Sequence, residues 1–390
     1  MRKYIYLLPF FILLFNGCQP KNNENSNFTT WSRNTIQKIE KIEFDNAAFI
    51  DSCLFISLKT SDESLFGAVS QIEVFDDTYY ILDKQTMKLK VFDSYGNFLY
   101  DIGKKGQGPG EYVAINFFVL NPEERKIGLF DPRKRTVHEY TLDGRFLQSK
   151  PQNWGFSSIT KATCVGKYIY CLSNINDEDN MTYIIISSED YSIIEKICPY
   201  PIKPSISMYV SIMNHPYSIV NGKFHYVSLF SDTIYTFENG KTTPYLFVET
   251  GKPNISTDYL KKRDLIFAES PISSYLEVLR DNRYSPGFTE LGETNRFIIG
   301  KAHLNNNFFI LDKKKKEGFH VADSSFPDLG SPLAMEGNKM IRVWNPADIS
   351  RYQDMMEEEK RAWPKQIESL IKNYDPDYEN PVLIVYYMKD

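Results

Sequence analysis

Apolar and polar residues alternate along most of this chain in short runs. Stretches rich in Ile, Val, Leu, Phe and Tyr are broken by clusters of Asp, Asn, Gly and Ser. A period of two is the signature of a strand, and the breaks carry turn chemistry. The plainest unit is "SQIEVFD", "TYYILDK", "KLKVFDSYG" and "NFLYDIG", which predicts four consecutive strands between Ser70 and Gly103. A second unit follows the same plan with "INFFVLN", "KIGLFDP", "TVHEYTLDG" and "RFLQSKP". Asp83, Asp93, Asp131 and Asp143 close strand runs at matching places in the two units, which points to turn capping rather than catalysis.

The second run of each unit recurs along the chain. It is found as "TYYILDK" (Thr78 to Lys84), "KIGLFDP" (Lys126 to Pro132) and, more loosely, "KYIYCLS" (Lys167 to Ser173) and "KFHYVSLF" (Lys223 to Phe230). "RFIIGKA" (Arg296 to Ala302) and "KMIRVWN" (Lys339 to Asn345) bring the total to six copies, mostly about 40 to 55 residues apart. That spacing fits one four-stranded propeller blade. A single blade leaves both faces wet, whereas six stacked around an axis shield one another. The predicted fold is therefore all-β: a six-bladed β-propeller of four-stranded antiparallel blades. The aromatic content of 15% suits the wedges between such twisted sheets, although a carbohydrate platform would draw on the same residues.

The last blade shows "SPLAMEGN", "KMIRVWN" and, after an interruption, "PVLIVYYMK", but no fourth strand. "CLFISLK", Cys53 to Lys59, can supply it from the N-terminal side and close the ring. Helical insertions are expected at about 254–284, broken at Pro271, and at 348–374, with a break or kink near Pro364. Such insertions either cap an end of the ring or carry function.

Between the first two units lies "GKKGQGPGEY", which could cradle phosphate or make a tight crossing. Gly110 is followed by Glu111 and Tyr112 and then a strand, not by the Lys-Ser/Thr and helix that a phosphate loop needs. Gly106, Gly108, Pro109 and Gly110 are thus read as a structural crossing from the outer rim back to the axis.

"KLKVFDSYGNFLYDIGKKGQGPGEY" resembles an NHL-type repeat, in which a hairpin leads into a glycine-rich crossing. The wider chain is similar to six-bladed β-propeller lipoproteins of Gram-negative bacteria, most clearly in blades one and two and at both ends. That resemblance implies a fold and a place in the cell envelope, and no particular reaction.

The N-terminus agrees with export. Arg2 and Lys3 precede the apolar run Tyr4 to Phe15, too short for the roughly 20 residues that span a bilayer. Gly17-Cys18 resembles a lipobox, although Phe15 and Asn16 depart from the strict pattern. The expected organisation is a signal peptide at 1–17, a lipidated Cys18, a flexible tether over 18–34 and the propeller over 35–390. Plain secretion or an uncleaved anchor is the alternative. The expected location is the envelope, at the outer membrane, with the periplasmic or surface face left open.

The formal charge of −5 becomes two units more negative without Arg2 and Lys3, which argues against a nucleic-acid partner. Lys313 to Lys316 is the one basic run and is read as a hairpin end. Simple register around the turn between Cys164 and Cys171 would set Thr160 or Lys161 opposite Cys171. Buried thiols are therefore expected over a disulfide or zinc site, and the pairing state of Cys53, Cys164, Cys171 and Cys198 stays open.

No HExxH, GxSxG or SxxK pattern stands in its proper context. His215 and His303, near predicted strand ends, and Glu111, beside a strand that enters the channel, are the candidate ligand or channel residues. No cofactor is predicted. The leading expectation is a non-enzymatic scaffold that binds an oligosaccharide or an envelope protein. The alternatives are a propeller lyase or hydrolase with Ca²⁺ or Zn²⁺ in the channel, and a structural member of a larger assembly.

Overall fold

The computed structural model describes residues 29–32, 36–39, 49–152, 154, 159–173, 181–199, 215–249, 252–262, 277–278, 280–281, 283–302, 308–321, 332–359 and 365–389. Six antiparallel sheets form the six blades of the propeller. All six recurring runs become second strands, from Thr78–Asp83 in blade one to Lys339–Trp344 in blade six. Their side chains are buried with little interruption, because each lies mid-sheet with a blade on either side.

Blade six closes the ring as expected. Its third strand, Val382–Met388, pairs antiparallel with Ile50–Ser57, with Leu54 opposite Val385 and Ile56 opposite Leu383. The seam continues outside the sheet, where the Leu58 amide donates to the Pro381 carbonyl at 3.3 Å and the Lys389 amide to that of Phe49 at 2.9 Å.

The end of the stretch read as a flexible tether over 18–34 is a strand: Thr29–Ser32 adds in parallel to the fourth strand of blade four (Lys241–Glu249), and Ile36–Ile39, just after that stretch, adds to that of blade five (Glu317–Val321). Both open edges present unpaired backbone groups, and this segment satisfies them. The leader and Cys18 lie outside the described residues.

The insertion in blade four is described as helix α1 (Thr257–Lys262), and Pro271 lies outside the described residues. The insertion in blade six comprises α2 (Pro346–Glu359) and α3 (Lys365–Asn373), with Pro364 undescribed between them. Pro346 suits the first helical turn, and the Asp348 carboxylate reaches back to the Asn345 amide at 3.0 Å. Ile349, Tyr352, Ile367 and Ile371 bury themselves against Trp344, Phe49 and Val382. The insertion is thus docked on the ring as a cap.

One register expectation is corrected. The turn at Gly166-Lys167 is tight, so Val165 faces Tyr168 and Cys171 faces Ala162 rather than Thr160 or Lys161. All four described cysteines are free. The Lys313–Lys316 run does form a hairpin end, and the Lys313 ammonium turns inward to Glu293 at 2.7 Å.

Candidate functional site

The first strand of each blade lines the axis. In blades one, three and five that strand carries a bulge at the same place, at Ser70, Thr160 and Thr289. Each bulged hydroxyl donates to a second-strand carbonyl, at 3.1 Å to Leu82, 3.3 Å to Leu172 and 3.4 Å to Lys301. A bulge shifts which side chain faces the axis. The residues that follow are Gln71, Lys161 and Glu290.

Gln71 ties three blades together. Its amide nitrogen donates to the carbonyls of Phe118 at 2.8 Å and Ala162 at 3.3 Å, and its oxygen accepts from the Phe118 amide at 3.2 Å. On the far side the Leu291 amide donates to the His215 carbonyl at 2.7 Å, joining blades four and five. Gly292 brings blades five and six close at this level, since a Cβ there would lie 3.2 Å from the Met335 sulfur and that side chain would have to give.

Beside these bonds lies a cavity of about 70 Å³. Its polar side is Glu73, Lys161, Thr163, His215, Tyr217 and Ser218, while Ile72, Ile219, Leu333, Ala334 and Met335 make an apolar side. Burial pushes the Glu73 carboxyl up to about 7, eased by Gln71 and by the charge of Lys161. Burial brings Lys161 down to about 8, against the pull of Glu290 and Glu73. His215 is driven down to about 3 by burial and then by Lys161, so its imidazole is neutral. Its Nδ1 is buried and has no hydrogen-bond partner. Glu290 is 3.6 Å from the Lys301 ammonium. Two groups that exchange protons near neutrality therefore share one cavity with a neutral imidazole.

This donor set does not fit a channel Ca²⁺ or Zn²⁺ ion. Lys161 stands among the carboxylates, and its positive charge opposes a divalent cation. Among the described residues no group of three or more His, Cys, Asp and Glu side chains is placed to hold a metal.

Of the sequence candidates, only His215 is placed in the cavity. Glu111 lies in the crossing loop, where its carboxylate accepts from the Gly108 amide at 2.9 Å. A Cβ at Gly106 would meet that carboxylate at 2.1 Å, so any side chain there would displace it from the Gly108 amide. Gly110 holds φ at +73° and its carbonyl accepts from the Tyr140 hydroxyl, while Pro109 stiffens the same turn. The loop closes on itself, with Lys104–Lys105 pairing Glu111–Tyr112. His303 lies outside the described residues. Sequence reasoning missed Glu73, Lys161 and Glu290. For Lys161 and Glu290, as for Gln71, the signal was the recurring triplet "VSQ", "ITK", "FTE", an apolar residue, a hydroxyl and a polar residue ahead of each second strand, whereas Glu73 lies outside it.

Fold and axis together define a six-bladed β-propeller whose channel is narrowed by bonds between blades. The chain belongs to the family described as Domain of unknown function (DUF4934), whose model matches residues 32–387. Its structure is similar to that of a protein of Bacteroides fragilis named as an exported protein, with a TM-score of 0.68 at 18% identity, covering 93% of this chain and 100% of that one. A member of the duf4221 family from Bacteroides vulgatus gives a TM-score of 0.48 at 9% identity, covering 87% and 97%. PorZ, a surface component of the type-IX secretion system of Porphyromonas gingivalis, gives 0.36 at 10% identity, covering 71% of this chain and 30% of that one. No match was found among curated proteins. No helix among the described residues is long and apolar enough to cross a membrane.

Proposed function

We propose that this protein is an exported, lipid-anchored scaffold of the cell envelope that binds a protein partner on its outer rim and catalyses no reaction. The anchor is Cys18, and the membrane is the outer one. One observation carries the choice of the rim. Among the described residues, blades four and five have their outer edges overlaid by the N-terminal segment, whereas the fourth strands of the other four blades are edges, and those of blades one to three carry most of the exposed apolar side chains. These are Leu99, Phe146, Leu147, Ile193 and Ile194. The channel is a poor place for a macromolecule, since about 70 Å³ holds roughly two waters at ~30 Å³ each. A sugar ring or a peptide does not enter it. A lyase or hydrolase with a channel metal gains no support from an axis that contains Lys161.

The test is photo-crosslinking in the intact envelope, with a reactive residue at Leu147, at Ile194 or, as control, at Phe247, which the N-terminal strand covers through Thr30. Leu147 and Ile194 should give adducts with one and the same envelope protein, and Phe247 none. Equal labelling from all three positions, or no adduct from either rim position, would reject the rim. Cys18→Ser should move the protein from the membrane to the soluble envelope fraction.

A further inference from the structure

We propose that the axial cavity is a binding site for a small monocarboxylate, held with its carboxyl group inward and its apolar tail against blade six. The site is independent of the rim and stands or falls separately from it.

Size is the first argument. About 70 Å³ suits a carboxyl group of three heavy atoms, with the rest of the molecule lying toward the mouth. The second is the two-sided lining. Lys161, Thr163 and His215 come from blades three and four, while Leu333 and Met335 of blade six, with Ile72 and Ile219, offer an apolar wall. A short fatty acid has the same two-sided character. The third is the His215 ring, which lines the cavity although it is only 7% exposed.

Charge then selects a carboxylate over an amine. The groups around the cavity are Glu73, Lys161, His215, Glu290 with its neighbour Lys301, and Tyr217. Gln71 is already engaged by the backbone of Phe118 and Ala162 and by Glu73. Lys161 and the Thr163 hydroxyl are donors, and the neutral imidazole can present Nδ1–H. Glu73 is the one cavity group that would repel a second carboxylate. Once protonated it becomes a donor to the ligand instead. Binding therefore takes up a proton on Glu73, and affinity rises as pH falls.

Isothermal titration of the mature protein with butyrate, and with butylamine as the cationic counterpart, tests this at pH 6 and pH 8. Butyrate stays ionised at both values. It should bind at least about tenfold more tightly at pH 6, the ratio of protonated Glu73 either side of about 7, with Lys161 acting in the same direction. Butylamine should not bind. Glu73→Gln should keep only the roughly twofold pH dependence that Lys161 supplies, and Lys161→Met should abolish binding in a chain whose circular dichroism is unchanged. The proposal is overturned if butylamine binds as well as butyrate, or if the folded parent gives no butyrate heat at pH 6. Retention of the full tenfold pH dependence, about the ratio Glu73 alone supplies, by Glu73→Gln would also overturn it, and that variant decides the matter should Lys161→Met fail to fold.

Discussion

Asp83 shows how much a single side chain organises at a blade corner. It is fully buried and accepts from the amides of Gly67 at 2.8 Å, Ala68 at 3.0 Å and Gln85 at 3.0 Å, and from the Thr86 hydroxyl at 2.7 Å. Burial works against its charge, yet these donors hold its carboxyl below the usual range. Asp83→Ala leaves the amides unmatched and should cost about 2–4 kcal/mol in urea denaturation. Glu73 has the opposite sign. Its carboxyl sits at about 7 in the fold, above its ordinary 4.5, so the folded state favours the proton. Its contribution is complete below 4.5 and is lost as pH rises through about 7. Glu73→Gln should therefore match the parent at pH 4.5 and exceed it at pH 8 by on the order of 1–2 kcal/mol, part of the gain being offset as Lys161 loses a carboxylate. The thiols give a third expectation. Burial pushes Cys164 up to about 12 and holds Cys53 and Cys171 higher still. Ellman's reagent should find the described cysteines slow to react in the native protein and four of them reactive after denaturation.

Elements differ sharply in how legible they were. Second strands stand out because blades cover both their faces, which leaves near-continuous apolar runs closed by a turn. The hairpin at Asp93 was readable for the same local reason: its carboxylate accepts from the Tyr95 and Asn97 amides at 2.9 and 2.8 Å. The first strands hid their meaning. A bulge breaks the period of two, so Gln71, Lys161 and Glu290 could not be assigned to a face by counting. Their convergence depends on blades up to 219 residues apart meeting at one axis, as the separation of Gln71 from Glu290 shows. Glu111 misled because proximity to an axial strand was visible, while the closure of its carboxylate on the Gly108 amide was not. The helical cap rests on Trp344, which is fully buried between Phe55 at 5.4 Å and Tyr352 at 5.0 Å. Trp344→Ala should cost about 3–5 kcal/mol, and proteolysis should then cut first within 346–373.

At the scale of the whole molecule the six blades are held as a ring by one strand borrowed from the other end of the chain. A chain begun at residue 59 lacks that strand and leaves the third strand of blade six as an open edge; it should be recovered only as aggregate. A chain begun at residue 49 keeps the closure but strips the cover from blades four and five. It should fold, with circular dichroism like the parent, and self-associate in analytical ultracentrifugation as those edges seek partners. Correct monomers from the first chain, or strict monomers from the second, would show that the covers are dispensable.

The antiparallel clasp has a mechanical consequence. Ile50 and Met388 are partners at the same end of the pairing, so tension applied between these two points falls on a single pair at a time. Under load the seam peels like a zip instead of shearing all at once, and it yields at low force. The ring thus has one soft direction, and a tug along it opens blade six before any other.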